Sequence, residues 1–109
     1  MKLFQKRCIP CEGGVVPFTS SQIAEYKSLL KGGWEVIDEN KISRKFNFKN
    51  FRQALDFVNK IAQIAEEEQH HPDIQINYNK VRIDLTTHTI KGLSLNDFIM
   101  AAKIEALNH

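Results

Sequence analysis

The stretch EEEQHHP, residues 66–72, marks the point where a long helix must end and an extended segment must begin. Proline disfavours a helical conformation in the residue before it, so the helix cannot continue through His71. We therefore predict that His70 lies at the helix end, that His71 is extended, and that their imidazole rings diverge. Histidine can gain or lose a proton near neutral pH, because its unperturbed pKa is about 6.5. The stretch predicts a site for proton transfer at a corner of the backbone.

The segment before this corner has the apolar periodicity of an amphipathic helix, with Asn50 placed to cap its start. The predicted buried stripe is Phe51, Ala54, Leu55, Val58, Ile61, Ala62 and Ala65. The acidic run after this stripe lies at the end of the helix where the dipole favours cations. We predict that Glu67 and Glu68 are solvated. Glu66 precedes His70 by four residues, which on a helix would place it against that imidazole.

Alternating apolar and polar residues on both sides of this helix predict four strands. Two of them cover residues 34–37 and 42–48, and two follow the corner as a hairpin whose turn places Asn79 at positive φ. The inward residues of the hairpin are predicted to be Ile74, Ile76, Val81, Ile83 and Leu85.

Capping boxes predict two further helices, one before the first strand and one after the last strand along the chain. Thr19 and Gln22 start the first helix, which should end at the Gly32-Gly33 pair. Ser94 and Asp97 start the last, whose predicted stripe is Leu95, Phe98, Ile99, Ala102 and Ala106. The order α-β-β-α-β-β-α predicts an α+β fold, a four-stranded antiparallel sheet with three helices on one face.

Length and composition predict a single globular domain, because 109 residues is the usual size of one domain. We place this domain at residues 19–109, after an irregular leader at 1–18 that contains two prolines and a glycine pair. A net charge of +2 gives no indication of a nucleic-acid partner. No apolar run approaches the roughly 20 residues of a membrane span, and no signal peptide is recognisable, so we expect a cytoplasmic protein without a membrane partner. Cys8 and Cys11 lack the further ligands of a zinc site and are predicted to be free thiols.

The motifs after residue 65 resemble those of the pterin-4a-carbinolamine dehydratases. The matching residues are Glu66-x-x-x-His70-His71-Pro72, Tyr78-Asn79-Lys80-Val81, Thr87-His88, Gly92-Leu93-Ser94 and Asp97. The match extends from about Phe46 to Leu107, and the order of elements fits from Thr19 onward. Gln69 and Ile74 depart from the pattern, since some relatives have an acid and an aromatic residue at these positions.

The resemblance implies an enzyme that dehydrates 4a-hydroxytetrahydropterin to quinoid dihydropterin and so recycles the cofactor of aromatic amino acid hydroxylases. It implies no metal or organic cofactor and assembly into a homodimer or homotetramer. It assigns catalysis to His70, His71 and His88. It further implies that the pterin is bound with the help of Glu66, Pro72, Thr87 and Asp97. Within this scheme we expect His70 and His88 to transfer protons and His71 to bind the ring.

Three alternatives stay open at this point. The chain could be a binding module that serves as the dimerisation partner of a transcription factor through its helix surfaces. It could hold a metal ion with His70, His71, His88 and Glu66, although adjacent histidines rarely converge on one ion. Asp97 could cap the last helix only, or cap it and also contact the site.

Overall fold

The computed structural model describes residues 2–9 and 15–107 of the chain. The helices are α1 (Ser20–Lys27), α2 (Phe51–Glu68) and α3 (Leu95–Glu105), and the strands are β1 (Glu35–Ile37), β2 (Lys41–Asn47), β3 (Asp73–Asn77) and β4 (Lys80–Leu85). Short 3-10 helices cover Leu3–Gln5 and His88–Ile90. The predicted order and the α+β class are confirmed.

The strands form one antiparallel sheet in the order β1-β2-β4-β3. β4 is central, and its inward residues Val81, Ile83 and Leu85 are fully buried, as the alternation predicted. α2 and α3 both contact β4, and α3 also contacts α1 and the 3-10 helix Leu3–Gln5. The core therefore lies between the sheet and α2 and α3, with α1 packed against α3.

The capping predictions hold, but two element ends differ. Thr19 accepts a hydrogen bond from the backbone of Gln22, and Asn50 accepts one from the backbone of Gln53. α1 ends at Lys27 instead of continuing to the glycine pair, because a turn at residues 28–30 intervenes. In the β3–β4 turn the positive φ belongs to Tyr78, not Asn79. Asn79 instead donates its amide to the carbonyl oxygen of Phe48, which fixes the turn against the end of β2.

The predicted stripe of α2 is partly wrong. Phe51 is 47% exposed and Ala62 is also exposed, whereas Phe57, absent from the prediction, is buried beside Ala54, Ile61 and Ala65. A helix can place only part of a broad apolar surface against one sheet, so the flank that bears Phe51 faces away from the core.

The stripe of α3 is also broader than predicted. Phe98 and Ile99 are buried as expected, but Met100, Ala101 and Ile104 are buried too, whereas Ala106 is exposed beyond the helix end. α3 is covered on several sides by the sheet and the other helices, which buries more than one face. In the part of the chain that the structure describes, no helix is both long and apolar enough to cross a membrane.

Candidate active site

A pocket of about 400 Å³ lies where the end of α2, the loop after β4 and the start of α3 meet. It brings together three of the four histidines of the chain. The described residues that line it are Ile9, Glu68, Gln69, His70, His71, Thr86, Thr87, His88, Thr89 and Asn96. Its volume is in the range of small-molecule sites. The predicted site residues His70, His71, Thr87 and His88 thus share one cavity.

His70 reaches the pocket because α2 ends at Glu68, two residues earlier. Gln69 adopts the left-handed conformation, with φ 54° and ψ 40°, and so stops the helix before the proline does. The Nε2 atom of His70 lies 2.7 Å from Oδ1 of Asp97 at the start of α3. The His70 side chain is 13% exposed and that of Asp97 is fully buried. The pair therefore joins the ends of two helices in a water-poor environment.

Asp97 is held by further hydrogen bonds on its other carboxylate oxygen. Oδ2 accepts from the Thr87 hydroxyl at 2.8 Å and from the Ser94 backbone N–H at 3.0 Å. The Thr87 and Ser94 hydroxyls are themselves 2.8 Å apart. Since Thr87 uses its hydrogen on Asp97, Ser94 must donate to Thr87. Asp97 therefore both caps α3 and contacts His70, so the reading that it only caps is wrong.

Glu66 contacts His71, so the prediction that Glu66 would lie against His70 is wrong. Glu66 Oε2 lies 2.6 Å from Nε2 of His71. The rule that residues four apart share a face holds only inside a helix, and His70 follows the left-handed Gln69. The side chains of His71 and Glu66 are 57% and 74% exposed, so this second pair lies in solvent.

His88 comes from the loop after β4, which is closed at its base by a bridge between Thr87 and Gly92. The Thr87 N–H donates to the Gly92 carbonyl at 2.9 Å. A Cβ at Gly92 would lie 2.6 Å from Cβ of Pro17, so only glycine fits here without displacing Pro17. His88 is exposed and Thr87 is buried at the base of the loop.

Pro72 and Glu66 do not line the pocket, and Pro72 is half-buried directly before β3. Of the two departures from the family pattern, Gln69 lines the pocket and Ile74 does not. Among residues 2–9 and 15–107, no group of three or more His, Cys, Asp or Glu side chains is arranged to hold a metal ion. His70 and His71 instead contact different carboxylates.

Glu68 was predicted to be solvated, and this prediction is wrong. It is buried, lies 3.2 Å from Nε of Arg7 and 3.7 Å from Nζ of Lys103, and accepts a hydrogen bond from the Cys8 backbone N–H at 2.7 Å. The spacing contained the signal, because Glu68 continues the buried series of Ile61 and Ala65 at helical intervals. Asn96, which lines the pocket, was also missed, and no sequence pattern indicated it.

Cys8 carries a free thiol in a partly buried position. Burial, together with the nearby Glu68 carboxylate, raises the pKa of Cys8 to about 12, so the thiol stays protonated at neutral pH. Cys11, also predicted to be a free thiol, lies outside the described residues.

The profile of the pterin 4 alpha carbinolamine dehydratase family matches residues 16–107, a longer stretch than the motifs alone indicated. The chain belongs to the pterin-4a-carbinolamine dehydratase family.

Individual relatives are similar over nearly the whole chain. A protein from Rubrobacter xylanophilus whose name assigns it to this family is 45% identical, over 97% of this chain and 98% of its own length. One from Alkaliphilus metalliredigens, named in the same way, is 48% identical over 94% of this chain and 93% of its own.

Solved structures share the fold. The crystal structure of a transcriptional coactivator/pterin dehydratase from Brucella melitensis superposes with a TM-score of 0.77 at 36% identity, covering 83% of this chain and 96% of that chain. A pterin dehydratase-like protein described as a RuBisCO assembly factor of the alpha-carboxysome gives a TM-score of 0.59 at 23% identity, covering 70% and 89%. The second likeness is one of fold alone.

Proposed function

We propose that this protein dehydrates 4a-hydroxytetrahydropterin to quinoid dihydropterin, and that it thereby regenerates the pterin cofactor of an aromatic amino acid hydroxylase. The observation that carries the proposal is the buried His70–Asp97 pair, whose His70 lines one pocket with His71 and His88 while Asp97 holds it from behind the lining, in a chain of this family.

The reaction requires two proton transfers at neighbouring atoms of the pterin. The C4a–O bond breaks, and the departing hydroxide takes a proton from a general acid and leaves as water. N5 loses its proton to a general base, and the electron pair of that N–H bond forms the N5=C4a double bond. The sum is the loss of one water with no change in oxidation state. Each positioned acid or base of this kind contributes roughly 10²–10⁴-fold to a rate.

We assign the base to His70, because its contact with Asp97 fixes the tautomer of the ring. An ionised carboxylate can only accept hydrogen bonds, so Nε2 of His70 donates to Asp97. The neutral ring then carries its lone pair on Nδ1, where it can accept the proton from N5. Thr87 and Ser94 hold Asp97 in place, so the ring is oriented before the pterin binds.

We assign the acid to His88, and ring binding to His71. His88 lines the same pocket from a different loop, so it can reach the departing hydroxyl from another side than His70. His71 is paired with the solvent-exposed Glu66, and an exposed pair suits a side chain that adjusts to the pterin better than one that must hold a fixed geometry. We further propose that Thr87 supports the site through Asp97, and that Pro72 shapes the turn into β3.

A stopped-flow absorbance assay of 4a-hydroxytetrahydropterin decay, with and without the protein, tests the proposal. We expect acceleration by the native chain. His70→Ala and His88→Ala should each lose about 10²–10⁴-fold of kcat, the range for one proton-transfer group. No acceleration by the folded native chain would refute the enzyme and favour the alternative of a binding module, whose function would not depend on the histidines.

Assembly and location stay predictions. The sheet has two edge strands, β1 and β3, and such edges are usually paired or covered. We propose a homodimer or homotetramer in the cytoplasm, without a nucleic-acid or membrane partner. Light scattering that gave the 12.6 kDa mass of a single chain at tens of micromolar would contradict the assembly.

A further inference from the structure

One residue that lines the pocket, Ile9, belongs to the N-terminal segment, residues 7–9, which is held by side chains of the two helices that carry the site. Asn96, the second residue of α3, accepts a hydrogen bond from the Ile9 backbone N–H at 2.9 Å and donates its amide to the Ile9 carbonyl at 2.5 Å. A side-chain amide thus makes both hydrogen bonds that a neighbouring strand would make with this residue. Asn96 is buried whereas Ile9 is 70% exposed, so the contact is partly shielded from water.

The last residue of α2 holds the same segment from the other side. Glu68 accepts the Cys8 N–H and contacts the Arg7 guanidinium. A buried carboxylate is stable only when it is paired and hydrogen-bonded. Without the segment, the described partner left to Glu68 would be Lys103 at 3.7 Å. These contacts therefore hold the segment against the end of α2.

The docking sites adjoin the catalytic residues. Glu68 precedes His70 by two residues, and Asn96 directly precedes Asp97. Between them Ile9 lines the pocket while 70% exposed, which places it at the mouth and not at the base. Among the described residues that line this pocket, Ile9 is the only one with a purely hydrocarbon side chain.

We propose that Ile9 is a specificity-determining residue that packs against the substituent at C6 of the bound pterin. This inference rests on the proposed function. The pyrimidine edge of a pterin needs hydrogen-bonding partners, which an isoleucine cannot provide. C6 is bonded to N5, the atom from which His70 takes its proton, so its substituent lies on the His70 side of the ring, and we place it at the mouth beside Ile9. An apolar wall there favours pterins that carry a carbon chain at C6 over those that carry hydrogen.

The test compares two 4a-hydroxytetrahydropterins, one with a dihydroxypropyl chain at C6 and one with hydrogen there. Ile9→Ala should raise KM for the substituted pterin by about three- to tenfold, as expected for partial loss of apolar contact, and should raise it less than about twofold for the unsubstituted one. The value of kcat should not change. Leu29→Ala is the matched control, because Leu29 is an isomeric side chain, 62% exposed, and does not line this pocket. It should alter neither KM.

A second variant tests whether the segment acts through its docking. Asn96→Ala removes both hydrogen bonds to Ile9 and should produce the same selective rise in KM. Combined with Ile9→Ala it should add little, because both changes remove one contact. Melting temperatures measured for every variant separate this effect from unfolding, which would lower the activity toward both substrates.

Equilibrium binding separates this inference from the proposed function. Ile9→Ala should raise the dissociation constant of the 7,8-dihydropterin that carries the dihydroxypropyl chain at C6. It should raise that of the 7,8-dihydropterin with hydrogen at C6 much less. If the native chain binds them selectively through Ile9 yet dehydrates nothing, the proposed function fails and the role of Ile9 stands. If dehydration is normal and Ile9→Ala leaves the preference between the two pterins unchanged, the role of Ile9 is refuted. If the native chain neither binds nor dehydrates, both are refuted.

Discussion

The protein contains two histidine–carboxylate pairs of nearly equal length in very different surroundings. Nε2 of His70 is 2.7 Å from Asp97, and Nε2 of His71 is 2.6 Å from Glu66. The first pair is enclosed at the junction of α2 and α3, and the second lies on the surface. Distance alone would rank them as equivalent, so the difference between them must come from burial and from the partners of each carboxylate.

Burial makes the first pair rigid and the second adjustable. Removing one partner from a buried pair leaves an unsatisfied polar group, whereas exposed pairs contribute roughly 0–1 kcal/mol. Asp97 has Thr87 and Ser94 behind it. The Glu66 carboxylate, by contrast, contacts His71 on the surface. Adjacent histidines can thus serve different purposes, one fixed for proton transfer and one free to follow a ligand.

The largest expected contrast is between the two histidines. His70→Ala should lower kcat by about 10²–10⁴-fold, because it removes a positioned proton-transfer group. His71→Ala should raise KM by about tenfold and spare kcat, as loss of uniform binding does. Steady-state kinetics of both variants, with melting temperatures to confirm folding, measure this. A His70→Ala variant with full kcat would overturn the assignment of roles.

The next largest contrast in kcat is expected between the two carboxylates, Asp97 and Glu66. Asp97→Asn should reduce kcat by about 10²-fold, at the low end for one acid–base group, because an amide no longer fixes the tautomer of His70. Glu66→Gln is the matched change in the exposed pair and should alter kcat by less than about threefold, given how weak exposed pairs are. Equal losses in the two variants would show that burial does not distinguish the pairs.

A smaller effect is expected at Thr87, which donates a hydrogen bond to Asp97. Thr87→Val removes the hydroxyl that donates to Oδ2 while keeping the shape of the side chain. Loss of one hydrogen bond to a charged group, roughly 1.5–3 kcal/mol if felt fully and less if the site relaxes, predicts a fall in kcat of about tenfold. Thr87→Ser keeps the hydroxyl and should restore most of the rate. A Thr87→Ser variant as slow as Thr87→Val would point to packing instead of the hydrogen bond.

Stability should show the smallest contrast. Asp97→Asn should lower the free energy of unfolding by about 1–3 kcal/mol, because it disturbs a buried hydrogen-bond network. Glu66→Gln should change it by less than about 0.5 kcal/mol, as surface substitutions do. Urea titrations followed by circular dichroism give both values. A large loss in the Glu66 variant would mean that the exposed pair contributes more than its surroundings indicate.

The sequence predicted the fold well because the fold depends on local patterns. Alternation gave the inward residues of β4, and capping residues gave the starts of all three helices. The stripe of α2 was less well predicted. Periodicity shows that a helix has apolar residues, but which flank contacts the sheet depends on the other elements, and so Phe57 was missed while Phe51 was included.

The site was predicted as a set of residues and not as a set of contacts. The histidine corner and His88 stood out by residue type, whereas Thr87 was included because of the family resemblance, and these residues do share a pocket. The carboxylate partner of each histidine could not be predicted, because the left-handed Gln69 ends the helical register that would have linked Glu66 to His70. The approach of residues 7–9 to Glu68 and Asn96 is a contact between distant parts of the chain, which local patterns do not specify.

The strand order has a consequence for the time course of folding. β3 and β4 are joined by a tight turn and can pair at once, whereas β2 must find β4 across the whole of α2 and β3. Closing such a long loop costs conformational entropy before the contacts between the strands lower the free energy. The His70–Asp97 contact also requires α3 to dock, so we expect the hairpin to gain amide protection early in refolding and the two helix ends that form the pocket to gain it last. Pulse-labelling hydrogen exchange during refolding would report this order, and protection of the helix ends before the sheet would contradict it.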